Sequence, residues 1–120
     1  MLCAHALLGW ALCGVTIALG RAFTTLPRAL LYHAVAAPVL LAAIAFSYAF
    51  WFGYVGPLPA AAFFTGVVLA MDLLIVAPFI ERSFAMVQSA VGFWIPVGSI
   101  FVASWIAGVA SRRTRRRLSQ

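Results

Sequence analysis

Residues 2–20 read LCAHALLGWALCGVTIALG, nineteen residues without a charge. A bilayer core about 30 Å thick is crossed by about 20 apolar residues in a helix, and this stretch has that length. The competing reading is a secretory signal peptide. No basic residue precedes the apolar run, and the run is longer than a usual signal-peptide core, so a transmembrane helix is the better fit. The pattern recurs at residues 29–52, 60–80 and 87–110, with short connections at 21–28 (RAFTTLPR), 53–59 (GYVGPLP) and 83–86. The sequence therefore predicts an all-α polytopic membrane protein: a bundle of four transmembrane helices with proline kinks in helices 2–4, at Pro38, Pro78 and Pro96. Residues 1–110 form a single transmembrane domain, and residues 111–120 form a basic juxtamembrane tail expected to fray.

Composition leads to the same class. The chain has 120 residues, 66% of them hydrophobic and 8% charged, against about half and a quarter in soluble domains. A soluble fold this small leaves too much surface exposed to hide that much hydrocarbon. The formal charge of +6 comes from eight arginines and no lysine, and five of the arginines fall between Arg112 and Arg117. A nucleic-acid face would spread basic residues over a folded surface among polar readers. A cluster at the end of a span instead predicts contact with anionic lipid, and no nucleic-acid partner is expected. Cys3 and Cys13 are about 15 Å apart on one helix, too far to pair with each other. They read as small apolar residues. Met1, Cys3 and His5 could suggest a soft metal site, but an interfacial histidine accounts for His5, and no metal or cofactor is predicted.

Several features predict helix contacts. Small residues four apart let helices approach closely in lipid. Gly9 and Cys13, and Gly14 and Ala18, make such pairs on the first span. Ser99, Ala103 and Ala107 make a stripe on the fourth span, beside Ser104 and Gly108. These stripes point to a homo-oligomer or to a place in a larger membrane complex. Phe46, Tyr48, Phe50, Trp51, Phe52 and Tyr54 read as an interfacial aromatic belt. Spans two and four each carry an early polar residue followed by a proline (His33 and Pro38, Gln88 and Pro96). The two spacings differ, which is too weak a match for an inverted repeat.

The chemistry concentrates between Met71 and Phe84, MDLLIVAPFIERSF, which holds both acids of the chain, Asp72 and Glu81. Asp72 lies roughly 13 Å deeper along a helix than Glu81. A carboxylate at that depth costs about 2.5–3.5 kcal/mol on insertion scales, so it needs a partner helix, water or another polar group. Thr65, Asp72 and Phe79 follow at sevens on an α-helix, with Ser83 on the same face, while Glu81 points away. Pro78 frees the carbonyl of Leu74 beside the acid. A carboxyl that exchanges a proton inside a membrane, next to a loosened carbonyl, is how ion pathways are lined. The competing reading is a packing residue, hydrogen-bonded to Gln88, Ser89 or a hydroxyl on another span. Glu81 and Arg82 read as the interfacial end of the third span, and His33 as either an interfacial residue or a proton relay to Asp72. The predicted pathway residues are thus Asp72, Thr65, Ser83, His33, Glu81, Arg82 and Gln88. No nucleophile elbow, zinc-protease helix, paired-cysteine motif or phosphate loop occurs.

Size and span count resemble those of small four-helix multidrug transporters. That family carries its working glutamate in the first span, however, and this sequence has no acid before Asp72, so the family is not assigned. The leading functional expectation is a transport or permeation protein acting as a homo-oligomer with an intramembrane carboxyl. A non-catalytic accessory or assembly subunit of a membrane complex is the alternative. A lipid- or quinone-handling membrane enzyme using His33 and Asp72 ranks third.

Four spans put both termini on one side. Five tail arginines on that side outweigh Arg21, Arg28 and Arg82 on the other, so the positive-inside rule predicts cytoplasmic termini in an inner membrane. A C-terminal alkaline phosphatase fusion is expected to be inactive and a C-terminal fluorescent protein bright. The reverse pattern would overturn this orientation.

Overall fold

A computed structural model describes residues 1–82, 88 and 94–120, with Leu26, Ile80 and Glu81 described in backbone only. Among these residues there are four long helices and no strand. They are α1 (Leu2–Phe23), α2 (Leu26–Trp51), α3 (Pro57–Met71) and α4 (Ile95–Leu118). The chain continues from α3 without a break into a π-helical segment, Asp72–Glu81. Four stretches are long and apolar enough to cross a membrane: Leu2–Phe23, Pro27–Trp51, Pro57–Phe79 and Ile95–Leu118.

Local chemistry sets the helix ends. Thr24 turns extended after α1, and its hydroxyl donates back to the Gly20 carbonyl at 2.6 Å. Pro27 and Pro57 stand in the first turns of α2 and α3, where the missing N–H costs no bond. The first turn is therefore only Thr24 and Thr25, and Arg21 and Arg28 lie on helix ends rather than in a loop. Gly53, at φ +57°, reverses the chain after α2. Pro38 lies inside α2 as expected. Pro96 occupies the first turn of α4 as described, and the expected start of span four at Val87 lies outside the described residues.

The helices form a four-cornered bundle. α2 packs on α4 and α1, and α3 packs on α4 and α1. Successive helices α2 and α3 lie across one diagonal with slight contact, and α1 and α4 do not touch. Both termini share one end with the Gly53–Gly56 turn. There Ser111 Oγ donates to the Phe46 carbonyl at 3.0 Å, and Arg112 donates to the carbonyls of Gly53 (3.2 Å) and Val55 (2.8 Å). The tail expected to fray is instead helical through Leu118.

The interior is made of small residues and the exterior of large ones. Ala6, Ala37, Ala45, Ala61, Ser104 and Ser111 are buried, while Leu8, Leu19, Leu31, Val35, Val39 and Ile106 are more than half exposed. A water-soluble bundle would hide the large residues to gain apolar burial. In lipid that gain vanishes between helices, and close backbone approach replaces it. The chain is therefore a multi-pass membrane protein by the way it packs as well as by span length.

A few large side chains plug this narrow core. Leu41 and Tyr48 are fully buried on one face of α2, and Tyr48 meets Phe64 of α3 edge-on at 6.0 Å. Tyr48 was expected in the aromatic belt, but seven residues past Leu41 the helical phase turns it inward. Trp51 and Tyr54 remain exposed. The small-residue pairs divide in the same way. Gly9 faces α2 and Cys13 is buried, whereas Gly14 has nothing within 4 Å of an added Cβ and Ala18 is exposed. On α4 the buried edge is Ile100, Ser104, Gly108 and Ser111, with Ser99, Ala103 and Ala107 half-buried beside it.

Among the described glycines, Gly20 makes the tightest approach to the backbone of a neighbouring helix. A Cβ there would sit 2.9 Å from Ala29 Cβ and 3.1 Å from its Cα. Gly20→Ala should push α1 off α2 and lower stability by about 1–3 kcal/mol. Gly14→Ala should leave stability unchanged. Thermal melts in detergent, followed by circular dichroism, check this. Equal melting of the two variants would contradict the packing described.

Candidate functional site

Asp72 stands at the junction where the α-helical register gives way to the π register. Its N–H reaches both the Val68 and Leu69 carbonyls. Its carboxyl Oδ1 accepts a hydrogen bond from Trp10 Nε1 of α1 at 3.0 Å, between two half-buried side chains. Cys13, three residues along α1 from Trp10, is buried. The acid therefore closes the α1–α3 corner of the bundle. Its partner is an indole on the first span rather than Gln88, which is exposed.

The π register changes what surrounds the acid. A π turn closes on an N–H bonded five residues back rather than four, as the Arg82 N–H is to the Ala77 carbonyl. Pro78 therefore withholds its bond from the Leu73 carbonyl, not from Leu74 as an α-helix would require. The stripe drawn at sevens also ends at Asp72. Thr65 and Asp72 are both half-buried, but Phe79 is 74% exposed. Arg82 ends the segment in a left-handed conformation (φ 52°, ψ 29°), which stops the helix as a glycine cap would.

Three buried polar atoms have no partner among the described residues: His33 Nδ1, Thr65 Oγ1 and Ser104 Oγ. They come from α2, α3 and α4. Thr65 is unusual for this chain. Thr16, Thr24 and Thr114 each donate to the carbonyl four residues back, whereas the Thr65 hydroxyl is left open. His33 forms no hydrogen bond to Asp72 among the described residues, and α2 does not touch the π-helical segment. The direct His33–Asp72 relay is therefore not assembled. The Glu81 side chain and Ser83 and Ser89 lie outside what is described, and Arg82 is exposed. His5 packs edge-on against Tyr48 (5.6 Å) and Phe52 (5.4 Å), and its Nδ1 lies 2.8 Å from the Met1 carbonyl.

Trp10 is the residue that sequence reasoning missed. A signal was present: tryptophans favour the membrane interface, and Trp10 lies about two turns into α1. An indole N–H at that depth needs an acceptor, and the chain has one deep acid.

The Trp10–Asp72 bond is expected to contribute about 1 kcal/mol. Trp10→Phe and Asp72→Ala should each destabilise the protein, and the double variant should cost less than their sum. Unfolding in mixed detergent micelles measures the cycle. Strict additivity would mean that the two side chains do not interact.

No protein-family model, curated protein or solved structure matches the chain.

Proposed function

We propose that the chain is a small transport or permeation protein of an inner membrane, working as a homo-oligomer with both termini in the cytoplasm, and that Asp72 is its coupling carboxyl. The observation that carries this reading is the Trp10–Asp72 hydrogen bond at the start of the π-helical segment. An ionised carboxylate holds an indole N–H more strongly than a protonated one does. Taking up a proton therefore loosens α1 from α3 at this corner. The segment beyond Asp72 already sits in an uncommon register, with one carbonyl unable to bond Pro78, and such segments recur at functional sites. A change from π to α register there would rotate everything that follows it. Proton binding at one oxygen is thereby linked to movement of a whole helix end. The open hydroxyls of Thr65 and Ser104 and the open His33 Nδ1 support the same reading. Polar atoms unpaired in hydrocarbon are costly, and a path that admits water or a substrate would satisfy them.

A second reading, an accessory subunit of a larger membrane complex, draws on a different observation. Gly14, Gly66 and Gly98 each have open space where a Cβ would stand. Small residues open to lipid favour another helix, and that helix could belong to a fixed partner instead of a second copy. Co-purification of one partner in fixed ratio, without activity from the chain alone, distinguishes this reading.

The test uses purified protein in liposomes loaded with a pH-sensitive dye. Wild-type protein should dissipate an imposed pH gradient faster than empty liposomes. Asp72→Asn, which keeps an acceptor for Trp10 but cannot ionise, should fall to the empty-liposome rate. Asp72→Asn protein that matches wild type would remove Asp72 from the coupling role.

A further inference from the structure

Because α4 is helical through Leu118, its arginines fall on defined faces. Arg112 and Arg115, three apart, face the Gly53–Gly56 turn. Arg112 bonds two of its carbonyls, and an Arg115 nitrogen lies 3.5 Å from where a Gly53 Cβ would be. Arg113 and Arg117, four apart, face the other way. They end a groove of about 460 Å³ along the outside of α4, whose wall includes Trp105, Ile106, Val109 and Thr114. The groove is apolar towards the bilayer centre and basic towards its end. From Trp105 to Arg117 it spans about 18 Å at 1.5 Å per residue. The Thr114 hydroxyl is already spent on the Ala110 carbonyl at 3.0 Å, so the two guanidinium groups are the free donors.

Among the described residues no acidic side chain pairs with these two charges. The only side-chain acids are Asp72, bonded to Trp10, and Glu81, which ends the third span at the far end of the bundle. A guanidinium pair at four-residue spacing matches a phosphodiester, which it can hold through several parallel N–H bonds. The apolar wall beneath it matches an acyl chain lying along the helix.

We propose that the outer face of α4 is a seat for one anionic phospholipid, with the phosphodiester held between Arg113 and Arg117 and one acyl chain laid over Trp105, Ile106 and Val109. This divides four of the five tail arginines between two faces. Arg112 fastens the tail to the α2–α3 turn with Arg115 beside it, and Arg113 and Arg117 recruit lipid. The seat is independent of Asp72.

Native mass spectrometry of the full chain in detergent tests the proposal, with equal amounts of phosphatidylglycerol and phosphatidylcholine of the same acyl chains. Wild type should retain one phosphatidylglycerol in preference to phosphatidylcholine by about tenfold. R113Q/R117Q should lose the preference, and the charge-matched R115Q/R116Q should keep it. W105A should weaken retention, and glycerol phosphate in excess should not displace the lipid. Equal retention of the two lipids by wild type would overturn the proposal. So would equal loss in the two double variants, which would mean attraction to the tail's charge as a whole. Displacement by glycerol phosphate would also overturn it, since a bare phosphate site would then suffice. Circular dichroism confirms that each variant is folded.

Discussion

Inside a bilayer no water is available to pair a polar group, and no hydrophobic gain draws one apolar helix to another. Both halves of that constraint are visible in this molecule. Helices must come close to gain contact, so alanine, glycine, serine and cysteine occupy the interior, while leucine, valine and isoleucine face outward. Gly20 against Ala29, Gly9 against Leu41 and Gly108 against Pro57 mark where a side chain would hold the helices apart. The narrow core that results admits only a few large groups, with Tyr48 and Phe64 at its centre.

The other half of the constraint explains the polar contacts. Ser111 reaches the Phe46 carbonyl, Arg112 reaches two carbonyls of the α2–α3 turn, and Trp10 reaches Asp72. Each ties together parts of the chain that are far apart in sequence, and each lies where two helices or a helix and a turn must be held in register. The Trp10–Asp72 bond differs from the other two because its acceptor can change charge. It also stands where α3 passes into the π register.

The π-helical segment is the least regular part of the described chain. Pro78 cannot donate, the Leu73 carbonyl loses its bond in this register, and Arg82 closes the segment in a left-handed conformation. Apart from the bond that Asp72 accepts from Trp10 of α1, the segment packs closely only on α3 among the described elements. A stretch with few tertiary contacts and an interrupted hydrogen-bond ladder opens more readily than a packed helix. The acid is thus placed between a rigid corner of the bundle and a deformable end.

The sequence alone determined the class of object, the four spans and the depth of Asp72, because span length and charge content follow from bilayer thickness and the cost of burying charge. It also marked Pro38 and the turn around Gly53, since proline and glycine act on the local backbone. The rest depended on tertiary structure. Helical phase and neighbouring helices decided that Gly9 and Cys13, not Gly14 and Ala18, face inward, and that Tyr48 is core while Trp51 is surface. The stripe through Thr65, Asp72 and Phe79 assumed an α period, and the π register ended it after Asp72. The indole that meets the acid lies 62 residues away in the chain, a distance over which local periodicity carries no information. The arginine tail divided into two faces only once its helix was known to continue through Leu118. Spacing along the chain places residues at a depth; which neighbour each one meets there depends on how the helices are arranged around one another.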